Sequence, residues 1–141
     1  MDNRYERYIG IDFGTKRIGL ARTDLLRTFA NPLGTYGRPE VYDVLKNQVE
    51  KERVTTFVVG WPLTPEGEEG DFTEVVDKFI RELKTRFPNI DVVRMDERYT
   101  SKKAVKAMVE AGVPKMKRRD KARVDRAAAA LILQQYLELS E

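Results

Sequence analysis

Two short apolar segments flank the most regular amphipathic helix that the sequence predicts. Residues 56–59 (TFVV) form a continuous apolar run, which is typical of a strand covered on both faces. Residues 90–95 predict another strand, which follows the helix that ends at Pro88 and Asn89. The apolar residues of that helix recur at helical spacing and are Phe72, Val75, Val76, Phe79, Ile80, Leu83 and Phe87. This alternation predicts an α/β fold whose loop-borne sites lie at the carboxyl ends of parallel strands.

The N-terminal third of the chain predicts antiparallel strands. Residues 8–12 and 18–21 are short apolar runs, and a glycine-containing turn over residues 13–16 joins them into a β-hairpin. A third strand over residues 33–36 is less regular because proline and glycine interrupt it. Valine and leucine at helical spacing then predict a helix over residues 40–52. Together with the later segments, this order predicts a mixed sheet with helices on its faces.

Side chains that can cap helices mark the remaining helix starts. They are Asp71, which heads a capping-box pattern, then Thr100 or Ser101, and then Asp120. The second of these helices is predicted to end at Gly112, before a basic loop over residues 113–119, and the third near Leu139. The sequence contains no internal repeat or low-complexity linker, so we predict one domain over residues 1–141.

The residue types that the chain lacks exclude several chemistries. It has no histidine, which excludes a Ser–His–Asp triad, histidine-bound zinc and an imidazole base. It has no cysteine, which excludes disulfides and thiolate metal sites and is compatible with the reducing cytoplasm, where we expect the protein. No apolar stretch is long enough for a membrane span, and the first residues do not resemble a secretory signal.

Positive charge is concentrated in one segment. Residues 102–126 contain ten lysine or arginine residues and three acidic residues, a local net charge of +7, whereas the rest of the chain carries −4. Such a distribution indicates a polyanionic partner, and a solvated helix face with a basic loop is the alternative interpretation.

Acidic residues occur at three places in the chain where the apolar pattern does not predict a charge, and one of these places is an adjacent pair. Asp12 ends the first strand between two glycines, which allow another backbone or a phosphate to approach closely. Asp96 and Glu97 end the strand that begins at residue 90, and Asp125 shares an apolar face near the start of the last helix. If the strands are arranged as predicted, all three positions lie at one edge of the same sheet.

Each acid also has a simpler interpretation. Asp12 can be a turn residue that accepts backbone hydrogen bonds, and Asp125 can pair with Lys121 one helical turn earlier. Asp96 and Glu97 can interact with the dipole at the start of a following helix. However, two carboxylates about 4 Å apart repel by about 4 kcal/mol at an effective dielectric constant near 20. A cluster of such acids therefore requires raised pKa values or a cation, and oxygen ligands favour Mg²⁺ or Mn²⁺.

Four segments of the chain resemble one known family in the same order. They are residues 11–19 (IDFGTKRIG), 59–63 (VGWPL), 96–101 (DERYTS) and 121–130 (KARVDRAAAA). They are similar to the YqgF family, also called RuvX, whose members are described as pre-16S rRNA nucleases or Holliday junction resolvases. The resemblance implies an RNase H-like fold with a mixed five-stranded sheet, whose first three strands are antiparallel, and helices on both faces.

The resemblance also implies a two-metal nuclease site. By motif position, Asp12, Glu97 and Asp125 are the expected catalytic residues and ligands of Mg²⁺ or Mn²⁺, with Asp96 as the substitute for Glu97. Strand alternation places Asp96 and Glu97 on opposite faces, and the sequence does not show which one points inward. The basic residues expected to contact nucleic acid are Lys16, Arg17, Arg98, Lys117, Arg118, Arg119, Lys121 and Arg123.

One departure from the wider RNase H-like pattern concerns the end of the fourth strand, where residues 60–62 (GWP) replace an acid. The second acid must then come from the neighbouring strand. Trp61 can either stack on a nucleic-acid base or be buried beneath its loop.

The activity that the resemblance implies most directly is cleavage at the 5′ end of precursor 16S rRNA. Resolution of four-way DNA junctions is the alternative, and that activity would favour a two-fold homodimer. Two other classes also fit parts of the pattern. They are a nucleic-acid-binding module without catalysis and an ATPase lobe related to actin and Hsp70, which would use Asp12 to hold a magnesium nucleotide.

Overall fold

The computed structural model describes residues 4–63, 66–97 and 121–139 of the 141-residue chain. Within these ranges the chain forms five strands and three helices. In chain order they are β1 (Arg7–Phe13), β2 (Ile18–Thr23), β3 (Ala30–Tyr36), α1 (Arg38–Lys51), β4 (Val54–Trp61), α2 (Asp71–Arg86), β5 (Asp91–Asp96) and α3 (Lys121–Leu139).

The five strands form one mixed sheet in the order β3-β2-β1-β4-β5. β2 pairs antiparallel with both β1 and β3, whereas β4 lies parallel to both β1 and β5. The predicted mixed sheet, with three antiparallel strands at its start, is therefore confirmed. The hairpin turn comprises residues 14–17, one residue later than predicted, and the N–H of Gly14 donates to the carbonyl of Arg17 at 2.9 Å.

β3 begins three residues earlier than the sequence predicts, because its interrupting residues are tolerated at an edge. Pro32 and Gly34 lie within the strand, which is the outermost strand on its side of the sheet. A proline lacks the N–H that a central strand must donate, but an edge strand can leave that side unpaired. The register between β2 and β3 shifts between Leu20 and Ala21, beside the position that pairs with Pro32.

The predicted capping role of Asp71 is wrong. The helix α2 begins at Asp71 itself, its N-cap is Gly70, and no side chain caps it. Gly70 has the extended backbone that an N-cap requires, and both the N–H and the hydroxyl of Thr73 donate to its carbonyl oxygen. Asp71 lies instead in the first turn, where its negative charge interacts favourably with the helix dipole.

Helices α1 and α2 cover one face of the sheet. Successive side chains of a strand point to opposite faces, so every second residue of β1 and β4 enters this core. These residues are Ile9, Ile11, Phe13, Phe57, Val59 and Trp61. The amphipathic pattern of α2 is confirmed, since Val76, Phe79, Ile80 and Leu83 are buried against them, whereas Val75 is exposed.

Helix α3 covers the opposite face, so the predicted helices on both faces are confirmed. Its Ala129, Ile132 and Leu133 pack with Ala21 of β2 and Val58 of β4. This is the face toward which the alternate residues of β1, including Asp12, are directed. Among the described residues, no helix combines the length and the apolar character needed to cross a membrane.

The remaining predicted elements lie outside the described residues. They are the helix from Thr100 or Ser101 to Gly112, the basic loop over residues 113–119, and the cap at Asp120.

Candidate active site

Two glycines allow α3 to lie close to the sheet beside Asp12. A Cβ atom added at Gly10 would lie 2.7 Å from the carbonyl oxygen of Ala129 and 2.7 Å from the Cβ of Leu133. A Cβ atom at Gly19, which pairs with Asp12 across the hairpin, would collide with the backbone of Asp125. The close approach expected from glycine therefore occurs, and the approaching backbone is that of α3.

The carboxyl groups of Asp12 and Glu97 are hydrogen-bonded to each other. Asp12 is the next-to-last residue of β1, and Glu97 directly follows β5. The N–H of Glu97 donates to the carbonyl of Trp61 at 3.2 Å, which continues the pairing of β4 with β5 by one residue. Asp96 pairs in register with Trp61. Because strand side chains alternate, the structure directs Glu97, rather than Asp96, toward Asp12.

Gly60 provides the space into which the Glu97 side chain extends. A Cβ atom at Gly60 would collide with Oε2 of Glu97 and would lie 2.9 Å from its Cδ and 2.7 Å from Cδ1 of Ile132. The missing acid at the end of β4 is thus replaced by an opening that admits an acid from β5. Sequence reasoning missed this role, although a glycine inside an otherwise apolar strand indicates a close approach.

The two carboxyl groups hold a proton at unusually high pH. The pKa of Asp12 is raised to about 6, chiefly by burial and also by the charge of Asp125, while the hydrogen bond from Glu97 acts in the opposite direction. Burial also raises the pKa of Glu97 to about 9, assisted by the charge of Asp12, the hydrogen bond to Asp12 and the charge of Asp96. Near neutral pH the Glu97 carboxylic acid therefore donates to the Asp12 carboxylate.

Asp125 lies close enough to influence Asp12, but its carboxylate is bound to Arg17. The Nε of Arg17 donates to Oδ2 of Asp125 at 3.0 Å. The sequence pattern allowed Lys121 as a possible partner of Asp125, but the side chain of Lys121 lies outside the described residues. In the structure the positively charged partner of Asp125 is Arg17. Within residues 4–63, 66–97 and 121–139, no three acidic side chains are grouped closely enough to hold a metal ion. The structure brings two of the three predicted acids together and holds the third on an arginine.

The other predicted contacts with nucleic acid are distributed around this site. Lys16 is exposed in the hairpin turn, and Arg123 lies in the first turn of α3 with its Nε buried and without a hydrogen-bond partner among the described residues. Four further predicted residues lie outside the described ranges, and they are Arg98, Lys117, Arg118 and Arg119.

Trp61 is buried, which agrees with the second of its two interpretations. Its side chain faces the core formed with α2, on the opposite face of β4 from Gly60. The guanidinium of Arg94 lies over the indole ring, 3.9 Å from the ring centroid, and also donates to Asp77 at 2.8 Å. Because an arginine already occupies the accessible face of the ring, Trp61 is not available to stack on a base.

Gly60→Ala is expected to displace the Glu97 side chain and return the pKa of Glu97 toward its usual value. The added methyl group would occupy the space of the Glu97 carboxyl group, which would then move away from Asp12. Overpacking of this kind destabilises a core by about 1–3 kcal/mol. Carboxyl-carbon NMR titration of the metal-free protein measures the pKa directly.

Gly37→Ala is the matched control, because the nearest atom to a Cβ there is 3.8 Å away, at Oε1 of Glu40. We expect this variant to keep the raised pKa of Glu97, and any loss of stability to be confined to the weaker N-cap of α1, which Gly37 forms. An unchanged titration of Glu97 in Gly60→Ala would contradict the spatial role of Gly60.

The sheet order and the α3-covered face give the chain an RNase H-like fold. The structure of RuvC from T. thermophilus, solved in complex with a Holliday junction substrate, has the same fold. The two structures superpose with a TM-score of 0.62 over 96% of this chain and 97% of that chain, at 14% sequence identity.

The profile of the family described as "RuvX: Holliday junction resolvase" matches residues 6–139, and the chain belongs to this family. A relative from Salinibacter ruber, named "Putative pre-16S rRNA nuclease", is 47% identical and covers 93% of this chain and 92% of its own length. A relative of the same name from Chlorobaculum tepidum is 45% identical and covers 95% and 94%.

Proposed function

We propose that residues 1–141 act as a single nuclease domain that hydrolyses phosphodiester bonds with Mg²⁺ or Mn²⁺ and processes the 5′ end of precursor 16S rRNA. The observation that carries the proposal is the Asp12–Glu97 carboxyl pair beneath α3. Such a buried pair lowers the stability of the fold, because burial raises the energy of its charged forms, and carboxyl groups with perturbed pKa values cluster at functional sites. The names of the relatives support the rRNA substrate.

The residues present fit a hard divalent cation. Asp12 and Glu97 offer oxygen ligands only, and they retain a proton at the position where two carboxylates would otherwise repel. After loss of that proton, the two carboxylates would hold a dication whose charge balances theirs. Asp125 projects from α3 toward the same face of the sheet and would be the third ligand. When bound there, the cation would activate water and offset negative charge on the phosphate.

The residues of the chain have three tasks in this mechanism. Asp12 and Glu97 must lose the proton that they share before they hold a cation, so binding should strengthen as the pH rises. Gly60 keeps the Glu97 carboxyl group in line with Asp12. Lys16 and Arg17 lie in the hairpin turn beside Asp12 and would bind the substrate phosphates.

Cleavage of two substrates in parallel tests the proposal. We expect the protein to shorten a 5′-extended 16S rRNA precursor in Mg²⁺ or Mn²⁺, and to lose this activity in EDTA. A synthetic four-way DNA junction, incubated under the same conditions, should be cut more slowly. Preferential cutting of the junction, by a chain that sedimentation shows to be a two-fold dimer, would contradict the rRNA assignment and favour junction resolution.

Binding without cleavage distinguishes the remaining classes. A module that binds RNA but cuts neither substrate with either metal would contradict the nuclease assignment. Micromolar binding of ATP with Mg²⁺ would instead favour an ATPase lobe.

A further inference from the structure

Arg17 lies in the hairpin turn and forms an ion pair with Asp125 of α3. Its carbonyl closes the turn by accepting from the N–H of Gly14, and its Nε donates to Oδ2 of Asp125, 108 residues away in sequence. The Arg17 side chain is 42% exposed and that of Asp125 is 25% exposed. An ion pair that is partly solvated in this way is weak and can be exchanged for another partner.

The guanidinium uses only one of its donor groups for this contact. Nε is directed to Asp125, and among the described residues Nη1 and Nη2 have no hydrogen-bond partner. A guanidinium presents its donors in one plane, in a geometry that fits carboxylate and phosphate oxygens equally well. Arg17 therefore has donors available to a phosphate at the same edge of the site.

Asp125 has little freedom to move except by rotating its side chain. The backbone of α3 at Asp125 lies directly against Gly19, which leaves no room for a shift toward the sheet. Its charge already acts on Asp12, so its carboxylate is near the pair even while it is bound to Arg17. Rotation of this one side chain is therefore the movement by which its carboxylate would approach Asp12 and Glu97.

We propose that Arg17 is a positioning residue with two alternative partners, Asp125 in the metal-free protein and a substrate phosphate in the working enzyme. While the two are paired, Arg17 neutralises the charge of Asp125 and occupies one of its carboxylate oxygens. With Asp125 turned toward Asp12 and Glu97 as a third ligand, the guanidinium would be free to bind the nucleic-acid backbone. This inference rests on the proposed nuclease function and adds to it an order of events, in which metal binding prepares the phosphate contact.

Arg17→Gln tests the exchange because its effects on metal and on substrate have opposite signs. Without the competing guanidinium, Mn²⁺ should bind the nucleic-acid-free protein about two- to fivefold more tightly, as measured by calorimetry or by electron paramagnetic resonance. In cleavage assays at saturating Mn²⁺, KM for the precursor should rise while kcat changes less. A merely structural role for Arg17 would weaken both interactions.

Two further variants separate the specific contact from general electrostatics. Lys16→Gln removes the same charge from an exposed position in the same turn and should change Mn²⁺ affinity less than Arg17→Gln does. In the Asp125→Asn background, the effect of Arg17→Gln on Mn²⁺ affinity should disappear, since the contact no longer exists. Equal effects of the two charge removals, or an effect that persists in Asp125→Asn, would overturn the inference.

The outcome for Arg17 can be separated from the outcome for the proposed function. If Mn²⁺ binds the parent chain and Asp12→Asn abolishes binding, but Arg17→Gln has no effect, then only the exchange is wrong. If Mn²⁺ binds equally to the parent chain and to Asp12→Asn, the metal site itself is wrong.

Discussion

Asp12→Asn is expected to slow cleavage of the rRNA precursor about 10²–10⁴-fold, the range found when a group that acts directly on the reacting atoms is removed. Asparagine has nearly the same shape and can still bond to Glu97, but it carries no charge with which to hold a cation. RNA affinity should change much less, because phosphate binding depends on the basic residues. Initial cleavage rates and equilibrium binding, measured on the same preparation, provide the comparison.

Two other acids serve as controls for this variant. Asp91 is exposed at the start of β5, so Asp91→Asn should cleave at the parent rate. Asp96→Asn should retain most of the activity, because Asp96 pairs in register with Trp61 and its side chain is directed away from Asp12. Asp96 acts on Glu97 only through its charge. Retained cleavage in Asp12→Asn, or a comparable loss in Asp96→Asn, would show that the active carboxylates have been assigned wrongly.

Glu97→Gln is expected to stabilise the metal-free protein at pH 8 and to flatten the dependence of its stability on pH. Burial and neighbouring charges raise the folded-state pKa of Asp12 from 3.8 to about 6 and that of Glu97 from 4.5 to about 9. The folded state consequently binds more protons than the unfolded state between these limits. The stability from these protons is fully present below about pH 4 and is lost as the pH rises through 6 and then through 9.

The slope of this loss can be measured. Each extra proton bound by the folded state lowers the free energy of unfolding by up to about 1.4 kcal/mol for each unit of rising pH. Urea unfolding in EDTA at several values between pH 5 and pH 9 should show this decline in the parent chain and a smaller decline in Glu97→Gln. Glu50→Gln, at an exposed position of α1, should leave the slope unchanged. Parallel curves for the parent chain and Glu97→Gln would disprove the shared-proton description of the site.

The sequence was sufficient to predict the sheet and two of its acids, because both depend on local pattern. Period-two and period-3.6 spacing predicted the strands and the amphipathic helix. The ends of the strands predicted that Asp12 would lie near Asp96 or Glu97, and only the family resemblance favoured Glu97. The N-cap of α2 was predicted wrongly, since Asp71 and Gly70 are both acceptable caps and the backbone angles decide between them. The length of β3 was underestimated, because a strand can contain Pro32 only if it lies at the edge of the sheet, and the sequence does not show that position.

The contacts that the sequence did not predict all join distant segments. Arg17 and Asp125 are far apart along the chain, and no local pattern distinguishes an arginine that binds a carboxylate from one that binds a phosphate. The role of Gly60 depends on the length and direction of the Glu97 side chain, which enters from the neighbouring strand. Such contacts depend on strand order and register. Local sequence patterns do not show the order or the register, which are known only once the whole sheet is known.

The three glycines at positions 10, 19 and 60 affect how an active site of this kind can be recognised among related sequences. Each leaves a volume that another part of the site fills, so the site depends on side-chain volume as well as on charge. A homologue with all three acids but alanine at position 60 would have the expected functional groups. Its equivalent of Glu97 would still lack the space to reach its equivalent of Asp12. A search pattern for active members should therefore require these small residues together with the acids.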